Sequence, residues 1–354
     1  MASEFMRSEG ANMDDLRIGL CRRFFILAWA IGYCCVLSAN SFAGDLGKAN
    51  LSDKPIEILG GRLSVRMPEG AKTVARSFNI MSAPESQEHE TRVVFDAGQE
   101  RLVLMAHENF AFAGDDFEKD VRDWVAKWSG KYRIEKLQLP NTGLKAVTVI
   151  PLNPPDHTRS DDATFVEGLF AESADQTIQS LDVYVNPTAE KDMEGCKAVA
   201  HRILLSAAPG KKSLQLAAGE RRLFAYSKDL GISIMVPKNT VATRQDGPDF
   251  LVHRLIVLGR LGADSGSIGI YVGSHPSFKP GAKQIGGIIF GNNVTWHSFE
   301  KGEGLEALTK IPISDVDGLF AHVWVHAPND AQLGELKKVA ESMKLVGVKE
   351  PGPR

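Results

Sequence analysis

The closest pair of histidines in this chain is in "HVWVH", where His322 and His326 stand four residues apart. On a helix that spacing lets two imidazoles share one metal ion. Here Val323 and Val325 alternate with the histidines. Alternation predicts a strand, on which four residues span about 13 Å. Zinc needs each donor at about 2 Å, so the pair does not chelate. The expectation is an outward face of His322, Trp324 and His326 opposite an apolar face of Val323 and Val325.

Nucleophiles fare no better. "GSHPSF" sets Ser274 beside His275, but neighbours on an extended chain point to opposite faces and cannot form a nucleophile–base bond by spacing alone. No Gly-x-Ser-x-Gly turn is present. Cys196 falls on the apolar stripe of a helix, where a free thiol packs as a small apolar group. "GGIIFGNN" and "GRLG" are not phosphate loops. "GDDFEKD" and "RSDDAT" lack the alternating acids of a calcium loop, and read as helix capping and a solvated loop. No catalytic residue, metal or cofactor is assigned.

The elements that would position any site are easier to read, because the chain repeats itself. "GRLSVRMPEG" (61–70) resembles "LGISIMVPKN" (230–239), and "GLKAVTVIPL" (143–152) resembles "GLEALTKIPI" (304–313). "VEGLFA" (166–171) answers "VDGLFA" (316–321), and "DVYV" with "CKAVAHRILL" answers "HVWV" with "LKKVAESMKL". The anchors keep their order, which predicts a duplication. Each copy ends in a helix. Met193, Cys196, Val199, Ala200, Ile203 and Leu204 mark the first stripe after Thr188 as cap; Leu333, Leu336, Val339, Ala340 and Met343 mark the second after Asn329 or Asp330. "DDFEKDVRDWVAKWSG" is a further helix of the first copy, started by Asp115 or Asp116 and ended by Gly130. The second copy has "FKPGAKQIGG" in that region and no helix. The rest alternates with period two, with a hairpin turning at Gly291–Asn293. The predicted fold class is α+β: two homologous lobes over 55–207 and 219–347, each a mainly antiparallel sheet with its C-terminal helix packed on it. The polar stretch "APGKKSLQLAAGE" (208–220) is the expected boundary.

The chain has 354 residues, 43% hydrophobic and 24% charged, with a formal net charge of -3. Such a charge gives no basic excess to track a phosphate backbone, so nucleic acid is not the expected partner. Arg22 and Arg23 precede an uncharged run ending in "SANSFAGD". That pattern predicts a secretory signal over 1–43, cleaved after Ala43, leaving no integral membrane segment and a periplasmic or secreted protein. Met6 or Met13 would place the start at a more usual distance from Arg22. Cys21, Cys34 and Cys35 leave with the signal. Cys196 alone remains, which excludes an internal disulfide and a cysteine zinc site.

The strand running into a Pro turn ("SVRMPEG", "SIMVPKN") and the closing strand–helix unit ("LDVYVNP", "HVWVHAP") resemble the Mog1/PsbP-like α+β fold of small exported bacterial proteins. In tandem the arrangement is similar to two-lobed exported immunity proteins, which clamp a toxin. The resemblance implies a non-catalytic binding protein with a protein partner. Tyr184 and Trp324, at matching places, would be its aromatic anchors, joined by His322 and His326. Only the first copy adds the loop "LNPPDHTRSDDATF", which makes His157 and Arg159 further candidate binding residues. The alternatives are a hydrolase with a site between the lobes, using Ser274, His275 or His297, and a binder of a small apolar ligand.

Overall fold

Alternating apolar residues become strands, and the chain is sheet-rich. The computed structural model describes residues 46–347 except 78–79, 83–84, 88, 141, 153–162, 188–191, 225–230, 248, 264, 300–303 and 312–317. The predicted signal segment, Thr188, Pro312, and His157 and Arg159 with most of their loop lie outside the described residues. The first half carries β1 (Ile56–Ile58), β2 (Leu63–Val65), β3 (Lys72–Ser77), β4 (Ile80–Ser82), β5 (Glu85–Gln87), β6 (Glu90–Ala97), β7 (Glu100–Phe112), helix α1 (Phe117–Val125), β8 (Tyr132–Lys136), β9 (Ala146–Pro151), β10 (Thr164–Glu172), β11 (Thr177–Asn186), helix α2 (Met193–Leu205) and β12 (Ala208–Pro209). The second carries β13 (Gly219–Phe224), β14 (Gly231–Val236), β15 (Thr240–Asp246), β16 (Phe250–Val257), β17 (Gly259–Arg260), β18 (Ser267–Gly273), β19 (Gln284–Ile289), β20 (Asn292–Ser298), β21 (Gly304–Lys310), β22 (Phe320–His326), helix α3 (Asp330–Glu341) and β23 (Lys344–Val346). No helix among the described residues is long and apolar enough to cross a membrane.

The two halves share one strand order. The first large sheet runs β3-β6-β7-β11-β10-β9-β8 and the second β15-β16-β18-β22-β21-β20-β19. Each half adds a three-stranded sheet, β1-β2-β12 or β13-β14-β23, whose last strand follows the C-terminal helix. Large sheet, small sheet and helix enclose one core in each half. Leu104, Val183, Val65, Val199 and Ile203 belong to the first; Ile270, Val323, Ile234, Leu336 and Ala340 belong to the second.

The other face of each large sheet is covered differently. α1 lays Phe117, Val121 and Val125 on Ile134, Val147 and Val149. Asp116 caps it, accepting the Lys119 N–H at 3.2 Å. It ends at Val125, short of Gly130. The second sheet has the irregular stretch 274–283 there, as predicted.

Three sequence expectations need correction. By strand order β9 corresponds to β20 and β10 to β21, so "GLKAVTVIPL" (β9) and "GLEALTKIPI" (β21) occupy different sheet positions. "VEGLFA" lies on β10, whereas "VDGLFA" runs into β22. The hairpin β19–β20 turns at Phe290–Gly291, both with positive φ (53° and 78°), because a two-residue turn of this hand needs both residues left-handed. Finally, the expected boundary is partly strand. Ala208 and Pro209 pair with β2, and Gly219 already opens β13.

The halves are also stitched together. β4 pairs with β15, and β17 lies parallel to β7. Leu214, Val241 and Leu258 pack with Phe110 and Phe112. The segment between the halves is pinned. Gly210 donates to the Arg62 carbonyl at 2.8 Å, and a Cβ on it would stand 2.0 Å from the Gly61 carbonyl oxygen, so only glycine fits. The Leu214 N–H donates to Asp175 Oδ2 at 2.6 Å. Asp175 belongs to a buried polar network. Arg62 pairs with Glu108, donates to Thr177 Oγ1 at 2.6 Å and lies 3.3 Å from Asp175. Burial pushes the Glu108 carboxyl up to about 7, against the pull of Arg62 and Gln179. At Asp175 burial also acts upward, but Arg62, Ser173, Thr177 and the Leu214 N–H outweigh it and hold the carboxyl below its ordinary value.

Candidate functional site

The outward face of β22 is not an open surface. His322 is 8% exposed, and its Nε2 stands 2.7 Å from Glu306 Oε2. Burial depresses its pKa more than Glu306 raises it, so the ring is neutral at neutral pH. Register explains the contact: Glu306 faces Trp324 and Leu308 faces His322, which makes Glu306 and His322 diagonal neighbours. Phe278, from the irregular stretch, stands edge-on to His297 and His322, with centroids 5.5 Å away in both cases. The half-buried Trp324 ring lies 5.5 Å from His322 and against Gly269, where a Cβ would meet the indole at 1.9 Å.

Tyr184, at the matching place on β11, is 7% exposed and packs on Phe165 with centroids 5.5 Å apart. It presents no ring to a partner, which corrects the expectation of paired anchors. The cause is the neighbouring strands: Val94, Val103 and Ala163 close over it. His326 is half-buried at the end of β22, four residues along the strand from His322. Among the described residues no group of His, Cys, Asp and Glu could hold a metal ion. Ser274 and His275 are both exposed, and the His275 N–H donates to the Tyr271 hydroxyl at 3.1 Å. Among the described residues no hydrogen bond joins Ser274 to His275 or His297, so the hydrolase alternative gains no dyad. Cys196 is buried, as expected of a core thiol.

The concave surface lies elsewhere. α2 crosses β10 and β11 and leaves the inner face of β8 and β9 uncovered, forming a groove of about 280 Å³. Arg133, Glu135 and Ile150 line its strand side, Lys197 and His201 its helix side. Its floor is Glu167, 5% exposed, which shares the inward face of β10 with Leu169 and Ala171 and sits opposite the core residue Val183. His201 Nδ1 stands 2.9 Å from Glu167 Oε1. Burial raises the Glu167 pKa, and His201 opposes the rise. The sequence offered only faint signals for this site: an acid inside the apolar "VEGLFA" and a Lys–His pair four apart in "KAVAH".

The second half fills the corresponding place. β11 ends at Asn186 and β22 at His326, and Val183 and Val323 stand three residues before those ends. Glu167 faces Val183, and Ala307 faces Val323. One strand further out Ile150 faces Arg133, and Trp296 faces Ile285. Ile150 and Trp296 therefore hold the same position, as do Glu167 and Ala307. The helices dock alike too. Ser206 Oγ accepts the Arg66 N–H at 2.8 Å, and Ser342 Oγ accepts the Met235 N–H at 3.0 Å. Counting back from these serines puts His201 and Lys337 at one place. This corrects the sequence alignment of the two helices, which is one helical turn out of phase.

Trp296 is fully buried. Its Nε1–H donates to Glu341 Oε1 at 3.2 Å, and Lys337 Nζ stands 5.8 Å from its ring centroid. Gly287 lets α3 approach, because a Cβ on it would collide with the Glu341 carboxylate and the Trp296 indole. Lys337 donates to the Gly286 carbonyl at 3.3 Å, and Glu341 accepts the Ile288 N–H at 3.2 Å. The first half has Ile134 and the exposed Glu135 at those glycine positions, and the groove stays open.

Compared with known proteins, the chain matches no protein-family model and no curated protein.

Proposed function

We propose that this chain is an exported, non-catalytic binding protein made of two duplicated α+β lobes, and that its partner is another protein. The observation that carries the reading is the uncovered inner face of β8 and β9. It is a concave surface with charged walls and a buried acid at its floor, where the other half supplies its own side chain. The common strand order and the two equivalent serine caps support duplication. The signal pattern ending at Ala43 supports export. Among protein partners, the resemblance to two-lobed immunity proteins favours a toxin. The stitched halves argue for a rigid unit presenting surface grooves, because Leu214, Val241 and Leu258 fill the contact between them with apolar side chains.

The test is capture with the chain beginning at Gly44, cross-linked in envelope extract of the source organism, followed by reconstitution of the pair from purified components. A single stoichiometric protein that rebinds when purified is the expected result. Recovery of none under native and cross-linked conditions overturns the reading. Mass spectrometry of the exported chain should find Gly44 at its N-terminus, and an intact leader in the envelope fraction overturns the export step.

A further inference from the structure

We propose that the groove between α2 and strands β8–β9 is a docking slot for a tryptophan side chain of the partner, which takes the place Trp296 fills in the second half. The inference rests on the duplicated-lobe binding reading above and names what the first lobe recognises.

Trp296 shows what this position of the fold asks of an occupant. It has a small apolar floor in Ala307, a cation over one face in Lys337 and a carboxylate acceptor for its N–H in Glu341. The first lobe supplies the same three kinds of group around an empty volume. Ile150 and Val166 are the apolar walls, Lys197 and Arg133 are cations at the rim, and Glu167 is the carboxylate. Ile150 reaches less far than an indole, and the about 280 Å³ it leaves accommodates a bicyclic ring. Lys197 is exposed and pairs with Glu194 at 2.7 Å, and Thr148 is 3% exposed, so the slot has a charged rim over a buried floor.

Other chemistry fits less well. A purely aliphatic side chain would desolvate the Glu167 carboxylate and the cations without replacing their hydrogen bonds. A free anion would meet Glu135 and Glu167 as well as the cations. An indole satisfies both, since its face attracts cations and its N–H needs an acceptor. Tryptophan is also the side chain most enriched at interface positions that dominate affinity.

The probe is N-acetyl-tryptophanamide, with N-acetyl-leucinamide as control, followed by NMR at the His201 imidazole and the Ile150 methyl groups of the full exported chain. The expected result is saturable shifts at both residues, with the leucine amide at least tenfold weaker. Ile150→Trp combined with Glu167→Ala rebuilds the second-lobe arrangement, and should abolish the shift at His201 while its own indole emits as a buried ring. Lys197→Glu changes an exposed rim residue whose ion pair with Glu194 is itself on the surface, and it should weaken the probe at least threefold, which keeps a readout if the double variant misfolds. No saturable shift at either residue, or equal binding of both amides, overturns the proposal. The assay contains no partner, so its result is independent of capture. Capture that succeeds equally with the Lys197→Glu and double variants overturns the slot while leaving the protein-binding reading in place.

Discussion

Ser206 and Ser342 do the same work in the two halves. Each follows the C-terminal helix and accepts a backbone N–H from the central strand of the small sheet, Arg66 at 2.8 Å and Met235 at 3.0 Å. Each hydroxyl also donates to a carbonyl of its own helix at 2.6 Å, Ile203 or Val339. One side chain thus closes the helix and ties it to the sheet. Ser206→Ala and Ser342→Ala should each destabilise by roughly 1 kcal/mol, the usual net value of such a hydrogen bond. The two losses should add in the double variant, since the sites share no partner. Urea denaturation of the four proteins checks this.

Glu108 sets a pH dependence of known sign. Its carboxyl is pushed up to about 7 by burial, while an unfolded glutamate titrates near 4.5. Between those values the folded chain holds a proton that the unfolded chain has released, so stability falls as pH rises through the window. The groups facing it are Arg62, Gln179 and Asp175. The contribution is on the order of 3 kcal/mol across the window. Glu108→Gln should flatten that part of the stability–pH curve and keep the Gln179 and Arg62 contacts in part. An unchanged slope between pH 4.5 and pH 7 would show that Arg62 holds Glu108 ionised throughout.

The sequence reading was right where the signal is local. Period-two alternation identifies the strands, and of the candidate caps Asp115 or Asp116 and Asn329 or Asp330 the structure uses Asp116 and Asn329. The strand entering a Pro turn marked β2 and β14, which do occupy equivalent positions. The two middle anchors misled, because an apolar strand with a proline at its end describes any core strand leaving a sheet. "GLKAVTVIPL" and "GLEALTKIPI" share that grammar without sharing a place. The helices were matched one turn out of phase for a related reason: an apolar stripe of period 3.6 is nearly unchanged by a shift of four residues. What fixes the phase is Ser206 or Ser342, a single polar contact to a distant strand. Glu167 shares the inward face of "TFVEGLFA" with Leu169 and Ala171 by simple alternation, but nothing in the sequence brings it to His201, 34 residues away, whose contact marks the site. Arg62 and Glu108 meet across 46 residues, and no spacing in the sequence links the Arg of "GRLSVRMPEG" to that Glu.

Trp296 closes the core of the second half and should be among its most sensitive positions. Trp296→Ala removes a fully buried indole and leaves Glu341 and Lys337 over a cavity. The expected loss is about 3–5 kcal/mol. Trp296→Phe keeps most of the apolar contact but removes the N–H donated to Glu341, at a cost of roughly 1 kcal/mol plus a smaller packing loss. Glu341 retains the Ile288 N–H and Lys337 as donors, which limits that cost. Thermal unfolding of the two variants should therefore rank native, Phe, Ala. Equal losses would mean that the indole N–H, not the ring's bulk, dominates.

His322 gives the opposite linkage to Glu108. Burial lowers its pKa below the ordinary 6.5, with Glu306 opposing. As pH falls below 6.5 the unfolded chain takes up a proton that the folded chain refuses, so this group makes stability fall with acid. The two effects have opposite sign below pH 6.5 and partly cancel in a whole-protein melt, so direct titration is the clean measurement. Imidazole NMR should show His322 neutral at pH 6.5, with a hydrogen on Nε2, because a neutral ring beside a carboxylate must donate through the nitrogen that faces it. Glu306→Gln removes the opposing carboxylate and should depress the His322 titration further. A rise in the variant would show that the burial of this ring is not what sets its charge.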